Sequence, residues 1–335
     1  MPDHTWAASE APDTEGVTPG LDKFRLPLIV GAAVVVGLVL IYTVGDREPG
    51  LVTQSVVTGL LLGGVYALVS VGLTLIFGVL GVVNFAHGAM LSLAMFIVYW
   101  LTTSIGLPVY VSTLVAVPVM LALGYLFQLA LLNKMVLSGS HEGPLLVTLG
   151  LSLLLSNLLL MVFGGRPLSV PSSVQGSFRL FGAIVSYERL IAFAGAALVA
   201  VVLTLILKKT SLGMSIRAVA ANSQGAALVG VNVGRVYALT FGIGTACVGV
   251  AGGLLAPFLS LTPNVGDEFT ILAFVIVVLG GLGSVAGAMV GGLVIGLIQT
   301  VGALYLPGTG SLLLVFVVFV LVLLFRPQGL FGATR

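Results

Sequence analysis

The stretch TQSVVTGLLLGGVYALVSVGLTLIFGVL, residues 53–80, decides the fold class of this chain. It contains no Lys, Arg, Asp or Glu, and it exceeds the roughly 20 residues that an α-helix needs to cross the hydrocarbon of a bilayer. A transmembrane β-strand would be about ten residues long and would alternate apolar and polar positions. The stretch therefore predicts a membrane-spanning α-helix.

The composition of the whole chain extends this prediction. Of 335 residues, 59% are hydrophobic and only 7% are charged, whereas an ordinary soluble domain has roughly 25% charged residues. We therefore predict an all-α membrane protein, a polytopic helical bundle of about ten transmembrane helices. The predicted spans are 27–44, 53–80, 85–104, 109–133, 144–163, 187–207, 237–257, 268–282, 285–303 and 311–325.

One part of this bundle is expected to be irregular. The run 268–282 is short and ends in glycines, so it and its neighbour 285–303 are candidates for one or two re-entrant or broken helices. The long connection 164–186 is predicted to be extracytoplasmic, either as a cap over the outer mouth or as a simple surface loop.

Basic residues near the spans predict the orientation, because they accumulate on the cytoplasmic side. With ten spans and a cytoplasmic N-terminus, nine basic residues lie inside and four outside, so both termini are predicted to be cytoplasmic. Those inside are Lys23, Arg25, Lys134, Lys208, Lys209, Arg217, Arg235, Arg326 and Arg335. Those outside are Arg47, Arg166, Arg179 and Arg189.

The N-terminal region differs from the rest of the chain. Residues 1–26 are predicted to form a disordered cytoplasmic tail, and residues 27–50 an extra transmembrane helix. A cleaved signal peptide is the alternative for the second segment. That alternative is disfavoured because the run starts late and ends in Asp46-Arg47-Glu48 without a small-residue cleavage pattern.

The polar residues exclude several functions. All 24 Lys, Arg, Asp and Glu residues fall in tails, loops or span ends, which argues against a proton-coupled transporter or a charged-ring channel. His4, His87 and His141 stand far apart, and the single Cys247 lies in an apolar run, so no metal or cofactor is expected. The chain has no phosphate-binding loop, and its net charge of +2 does not suggest nucleic-acid binding. We therefore predict a protein that is not an enzyme, and any ATP hydrolysis must take place on another subunit.

The predicted cytoplasmic connection 208–236 is the longest moderately polar segment between two spans. Its alanine-rich centre favours a helix, and Leu212, Ile216 and Val219 form one apolar stripe. From these residues alone, two roles are equally open. The helix either docks into a groove on a soluble partner or rests on lipid headgroups.

This segment resembles the coupling loop of ABC importer permeases, and especially that of the branched-chain amino acid permease family. The family pattern G-M-x-x-R-A-V-A-x-N … A … G-V-N-V-x-R matches residues 213–235. The resemblance implies that the segment contacts the ATPase subunits. The residues expected to couple to the ATPase are Leu212, Gly213, Arg217, Asn222, Ala226, Gly230 and Arg235.

A second motif, Asn84-Phe85-Ala86-His87-Gly88, stands at the start of a predicted span. Asn84 and His87 would share one face of a helix, where they either clamp two helices together or offer polar groups to a ligand. The string is similar to one in the same family. Many members have an acidic residue next, where this chain has Ala89, so the solute is left open.

A third motif runs from Gly280 to Gly292 and places small residues four apart at Gly283, Gly287 and Gly291. Such a face allows close approach of helices. Alternatively, residues 280–284 unwind and line a translocation path. This string is also similar to the family. The residues expected along the substrate pathway are Gly64, Tyr66, Asn84, His87, Gly88, Gly281, Gly283 and Ser284.

The resemblance covers residues 53–330 and implies an ABC importer permease domain over 51–330, with its coupling loop at 208–236. The implied partners are two ABC ATPase subunits, a second homologous permease, an extracytoplasmic solute-binding protein and the lipid of the inner membrane. The implied solute is a branched-chain amino acid or a related small molecule. An ATP-independent secondary transporter with broken helices, and an assembly subunit without a solute path, are the alternatives.

Overall fold

The computed structural model describes residues 49–138, 142–172, 174–180, 182–306 and 308–331. The predicted tail 1–26 and the predicted span 27–44 lie outside these residues. The first half contains α1 (Pro49–Leu80), α2 (His87–Thr103), α3 (Val109–Phe127), a π-helical segment (Gln128–Leu132), α4 (Asn133–Leu137) and α5 (Glu142–Phe163). The second half contains β1 (Ser177–Leu180), β2 (Ala183–Ser186), α6 (Tyr187–Lys209), α7 (Ser211–Ala221), α8 (Ser223–Leu228), α9 (Val233–Leu255), α10 (Val265–Gly280), α11 (Val285–Tyr305) and α12 (Gly310–Phe325).

The described chain is a helical membrane protein, as its composition predicts. Six helical stretches in the described ranges are long and apolar enough to cross a membrane: α1, α3 together with its extension to Leu137, α5, α6, α9 and α11. The predicted spans near α2, α10 and α12 are helices of 17, 16 and 16 residues. Each is shorter than the roughly 20 residues of a straight crossing.

Small residues hold α1 against α11 at the centre of the bundle. A Cβ added to Gly63 would lie 2.9 Å from the carbonyl oxygen of Gly292, so the two backbones touch. The Thr300 hydroxyl of α11 donates to the Ser55 carbonyl of α1 at 2.9 Å. Close backbone approach is the usual basis of helix association in lipid.

A comparable contact joins α9 to α3. Gly124 on α3 leaves room for Thr245 on α9, and the Thr245 hydroxyl donates to the Met120 carbonyl at 3.0 Å. Most of α1 and α9 is buried, whereas α5 and α6 are buried along only one face. The core therefore lies around α1 and α9, and the more exposed helices surround it.

The connection 164–186 contains a short antiparallel hairpin, β1–β2, that the sequence did not predict. The side chain of Gln54 bonds both the carbonyl and the amide of Ile184, at 2.8 and 2.6 Å. Leu168 pairs with Leu261 in an isolated bridge. The connection is therefore tied to α1 and to the loop after α9 at one end of the bundle.

At the opposite end, residues after α12 fold back onto α10. The amides of Leu330 and Phe331 donate to the carbonyls of Leu279 and Gly280 at 2.8 and 3.1 Å, and the Leu330 side chain is buried. These bonds satisfy carbonyls that the end of a helix leaves without a partner.

Candidate functional site

The first turns of α2 and α10 meet inside the bundle, at Gly88 and Gly266. A Cβ on either glycine would collide with the carbonyl oxygen of the other. The Gly88 amide donates to the Thr270 hydroxyl at 3.0 Å, and the Gly266 amide donates to the Ser92 hydroxyl at 2.9 Å. Each helix thus supplies an acceptor for an N-terminal amide of the other, in the place of water.

Sequence analysis missed this crossing, although a signal was present. Gly88-Ala-Met-Leu-Ser92 and Gly266-Asp-Glu-Phe-Thr270 share the spacing glycine-x-x-x-hydroxyl. Asp267 and Glu268 lie in the first turn of α10, where negative charge is favourable, and the Gln299 amide donates to the Glu268 carboxylate at 3.4 Å. Two exposed acidic side chains, Asp267 and Glu268, therefore lie next to the crossing in sequence.

The segment Asn84-Phe85-Ala86-His87-Gly88 links three other helices. The His87 Nε2–H donates to the Val69 carbonyl of α1 at 2.9 Å, because a carbonyl can only accept. The Phe85 amide donates to the Thr148 hydroxyl of α5 at 3.3 Å, and Gly88 bonds α10 as described above. These bonds are those of a polar clamp between helices, one of the two roles left open by the sequence.

The same segment retains two buried polar atoms without a hydrogen-bond partner, Asn84 Nδ2 and His87 Nδ1. Both side chains are fully buried. Asn84 uses its other side-chain atom, Oδ1, to accept from the Ala86 amide at 3.1 Å. As pathway residues, Asn84 and His87 remain predictions.

Two further pathway residues lie on α1. A Cβ on Gly64 would meet the ring of Phe193 on α6, so this glycine allows α6 to pack closely. The Tyr66 ring packs edge-on against Phe269, with centroids 5.6 Å apart. Tyr66 therefore faces the first turn of α10, whereas Gly64 faces α6.

Gly281, Gly283 and Ser284 form the turn between α10 and α11. Both glycines have positive φ, 101° and 82°, and the Ser284 hydroxyl caps α11 by accepting from the Gly287 amide at 3.1 Å. A Cβ on Gly78 of α1 would lie 3.0 Å from Gly283 Cα. The stretch between the two helices is unwound, as one interpretation of the third motif expected.

The predicted pathway residues do not form one cluster. His87 contacts α1 at Val69, whereas Gly283 contacts α1 at Gly78. Nine residues of helix separate these levels, which is about 13 Å. The structure brings Asn84, His87 and Gly88 together near Tyr66, and places Gly281, Gly283 and Ser284 at the end of the bundle.

The predicted coupling segment is built on a buried base. Ile216 and Val219 of α7 are buried, and Leu212 packs against the core, so the apolar stripe faces the spans. Gly213 is also buried, and the position requires glycine because a Cβ there would collide with the carbonyls of Ile206 and Leu207. The stripe therefore anchors α7, and the opposite face is the one left for a partner.

Three side-chain caps fix the helices of this segment. Thr210 Oγ1 accepts from the Gly213 amide at 3.1 Å, Asn222 Oδ1 from the Gly225 amide at 2.8 Å, and Asn232 Oδ1 from the Arg235 amide at 3.0 Å. Each bond satisfies an amide of the first turn of α7, α8 or α9. Asn222 and Asn232 of the motif are thus helix caps.

The short helix α8 is also closed at its C-terminus. Gly230 has φ of 88°, its amide donates to Ala227, and the Val231 amide donates to Ala226, both at 3.0 Å. This is the Schellman arrangement, which a glycine adopts without strain. The Ala226 side chain of α8 is buried, so the helix is fixed along its buried face and at both ends.

An exposed apolar pair stands at the end of α8, and the predicted site residues did not include it. Leu228 is 89% exposed and Val229 is 79% exposed, next to exposed Gly230. In the sequence, this surface was indicated by two adjacent large apolar residues within an otherwise polar connection. Arg217, Asn222 and Arg235 are exposed as well, whereas Leu212, Gly213 and Ala226 lie on the side of the segment that packs against the spans.

Comparison with known protein families identifies the family of this chain. The model of a family described as "Branched-chain amino acid transport system / permease component" matches residues 55–323. The chain belongs to this family. The match includes the Asn84–Gly88 segment, the coupling segment and the turn after α10, so the resemblance carried by the three motifs is confirmed.

Two relatives of this permease align over most of their length. The high-affinity branched-chain amino acid transport system permease protein BraD of Pseudomonas aeruginosa is 32% identical over 293 residues, 83% of this chain and 95% of BraD. The corresponding permease protein LivH of Escherichia coli is 30% identical over the same shares. No solved structure matches this permease.

As a member of this family, the chain is a multi-pass membrane permease component of a transport system. Among its described residues, no three His, Cys, Asp or Glu side chains group closely enough to hold a metal ion.

Proposed function

We propose that this protein is the permease subunit of an ABC importer that carries branched-chain amino acids or a related small solute across the inner membrane. Transport proceeds by ATP-driven alternating access. Two separate ATPase subunits hydrolyse ATP, a second homologous permease completes the path, and an extracytoplasmic binding protein delivers the solute. Family membership and the transport systems named for BraD and LivH support this proposal.

In this arrangement the chain has ten spans, and both termini lie in the cytoplasm. The end of the bundle with α7 and α8 faces the cytoplasm, and the end with the β1–β2 hairpin faces outward. Lys208 and Lys209, in the last turn of α6, then lie on the cytoplasmic side, in agreement with the positive-inside rule.

The observation that carries the proposal is the exposed pair Leu228 and Val229 on a helix capped at both ends. Leaving two large apolar side chains in water is unfavourable by about 25 cal/mol for each Å². Because Asn222 and Gly230 fix α8, little conformational entropy is lost when the pair enters a pocket. We name this pair the coupling knob and assign it to the ATPase.

The buried residues of the same segment can transmit a movement of the coupling knob to the membrane spans. Ile216 and Val219 are buried, and α7 packs on α1, α6 and α9. A force applied to the coupling knob is therefore transmitted through packed side chains to three spans. Those spans reorient around the region of the α2–α10 crossing in the alternating-access cycle.

The experiment compares two double variants of the full complex in proteoliposomes with its binding protein. Leu228→Ser with Val229→Ser removes the coupling knob. Met161→Ser with Val162→Ser changes an equally exposed apolar pair at the end of α5. ATP-dependent leucine uptake and the ATPase recovered with the purified permease are measured for both.

We expect the knob variant to lose about tenfold or more in ATPase affinity, as for buried apolar anchors at interfaces, and to lose uptake with it. The α5 variant should retain both. Full uptake without ATPase subunits would instead favour the ATP-independent facilitator. Normal ATPase recovery and uptake by the knob variant would contradict the coupling assignment.

A further inference from the structure

A cavity of about 250 Å³ lies where α1, α6, α7 and the turn between α10 and α11 meet. Its walls are largely apolar and include Leu75, Val79, Leu207, Ile216 and Val285. Its polar lining consists of Thr74, Thr204, Lys208 and Arg217. The cavity is therefore apolar inside, and two exposed cationic side chains, Lys208 and Arg217, stand at its rim.

The two cations of this cavity have no acidic partner. No Asp or Glu lines the cavity, and within the described ranges neither Lys208 nor Arg217 forms an ion pair. Thr74 is 1% exposed, and its hydroxyl has no hydrogen-bond partner. Buried polar groups are normally paired, so the Thr74 hydroxyl indicates a ligand that can form a hydrogen bond. Lys208 and Arg217 are exposed, and two cations side by side without an acidic partner indicate that this ligand is anionic.

The lining selects the class of ligand. A zwitterionic amino acid would have no carboxylate for its ammonium group here, and a small inorganic anion would leave the apolar walls in contact with water. An anionic group attached to an apolar chain satisfies both parts of the lining. Basic pockets between spans on the cytoplasmic side commonly bind acidic lipid headgroups.

The outer face of α6 offers a route for such a ligand. Leu198, Val201 and Leu205 are exposed along α6, and this apolar face leads toward the cavity residues Thr204 and Leu207. We propose that the cavity binds one anionic phospholipid, with its phosphate between Lys208 and Arg217 and part of an acyl chain between α1 and α6. The bound lipid contacts α7 and the Gly283 turn together, and so supports the base of the coupling segment against α1.

The test uses the full-length protein in a mild detergent and native mass spectrometry. Phosphatidylglycerol and phosphatidylcholine with identical acyl chains are the probes, and glycerol phosphate is the soluble anion. We expect one phosphatidylglycerol per chain and much weaker retention of phosphatidylcholine. Lys208→Gln with Arg217→Gln should weaken phosphatidylglycerol binding roughly 30-fold, which corresponds to about 1 kcal/mol for each cation.

Two further variants separate charge from shape. Lys209→Gln removes an adjacent lysine that does not line the cavity and should leave binding nearly unchanged. Ala220→Phe keeps both cations but fills part of the cavity, and should also displace the lipid. Equal retention of phosphatidylcholine, full displacement by glycerol phosphate, or unchanged binding by the double variant would each overturn the proposal.

Discussion

Gly88 and Gly266 lie backbone against backbone, at the point where α2 and α10 both begin. Thr270 accepts the amide of the first glycine, and Ser92 accepts the amide of the second. Two helices thus start inside the bundle with their N-terminal amides satisfied by each other. A broken helix is tolerated at membrane depth only where protein groups replace water in this way.

This crossing predicts the effect of adding a single methyl group. Gly88→Ala or Gly266→Ala places a Cβ against a backbone carbonyl that cannot rotate away. Each variant should lower the stability by about 1–3 kcal/mol, the usual cost of overpacking. Thermal unfolding of the purified protein in detergent measures the loss.

Gly150→Ala is the matched control for these two variants. Gly150 also lies in a helix, α5, but nothing stands within 4 Å of an added Cβ. Its replacement should leave stability unchanged or raise it by up to about 1 kcal/mol through helix propensity. Equal losses from all three variants would mean that the contact between the two glycines is not what limits stability.

The hydroxyl of Thr270 gives a second prediction. Thr270→Val keeps the volume but leaves the buried Gly88 amide without an acceptor, at a cost of about 1–3 kcal/mol. Thr270→Ser retains the acceptor and should lose less. The unfolding temperatures of the two variants measure these losses. A serine variant as unstable as the valine variant would show that the methyl group of Thr270 matters more than its hydrogen bond.

A third prediction concerns Gly230, whose φ of 88° suits glycine. Gly230→Ala should cost about 1–2 kcal/mol locally, the penalty of the left-handed region for other residues, and should displace the coupling knob. Gly106 has a similar φ of 82° and open space around it, but it lies between α2 and α3. Gly106→Ala should cost as much stability and leave ATPase association intact, whereas Gly230→Ala should reduce that association.

The cap of α8 yields a fourth prediction. Asn222→Ala removes the acceptor for the Gly225 amide and should destabilise the start of this six-residue helix by about 1 kcal/mol. Asn222→Asp keeps an acceptor. Hydrogen exchange of the Gly225 amide should accelerate in the alanine variant alone, and identical exchange in both variants would rule out capping as the role of Asn222.

The helices themselves were predictable because their apolar runs are continuous and long. The run 144–163 is observed as Glu142–Phe163, and the run 187–207 as Tyr187–Lys209. The run 268–282, the least regular of the predicted spans, is a short helix, Val265–Gly280, followed by an unwound turn, whereas its neighbour is the unbroken helix Val285–Tyr305. Span length follows from local composition, which a sequence carries directly.

Contacts between distant parts of the chain could not be predicted in the same way. The approach of Gly88 to Gly266 depends on how two helices cross, and small-residue patterns do not name their partner. The hairpin at 177–186 is short, and Gln54 of α1 holds it in place. The sequence predicted neither contact.

The candidate coupling residues show a similar division. Asn222, Gly230 and Arg235 were selected by resemblance, and the structure gives physical roles to the first two as an N-cap and a Schellman glycine. Leu228 was not selected, because exposure of a side chain depends on how α8 is set on its base. The motif therefore identified the residues that fix α8 better than it identified the side chains that α8 exposes.

The bond between Leu330 and Leu279 has a consequence for biosynthesis. The Leu279 and Gly280 carbonyls, at the end of α10, accept from the amides of Leu330 and Phe331, which follow α11 and α12 in the chain. During synthesis the ribosome must therefore complete both of those helices before the end of α10 is closed. Until then the Leu279 and Gly280 carbonyls lack these two donors, so a nascent chain that stalls within α12 leaves the end of α10 incomplete.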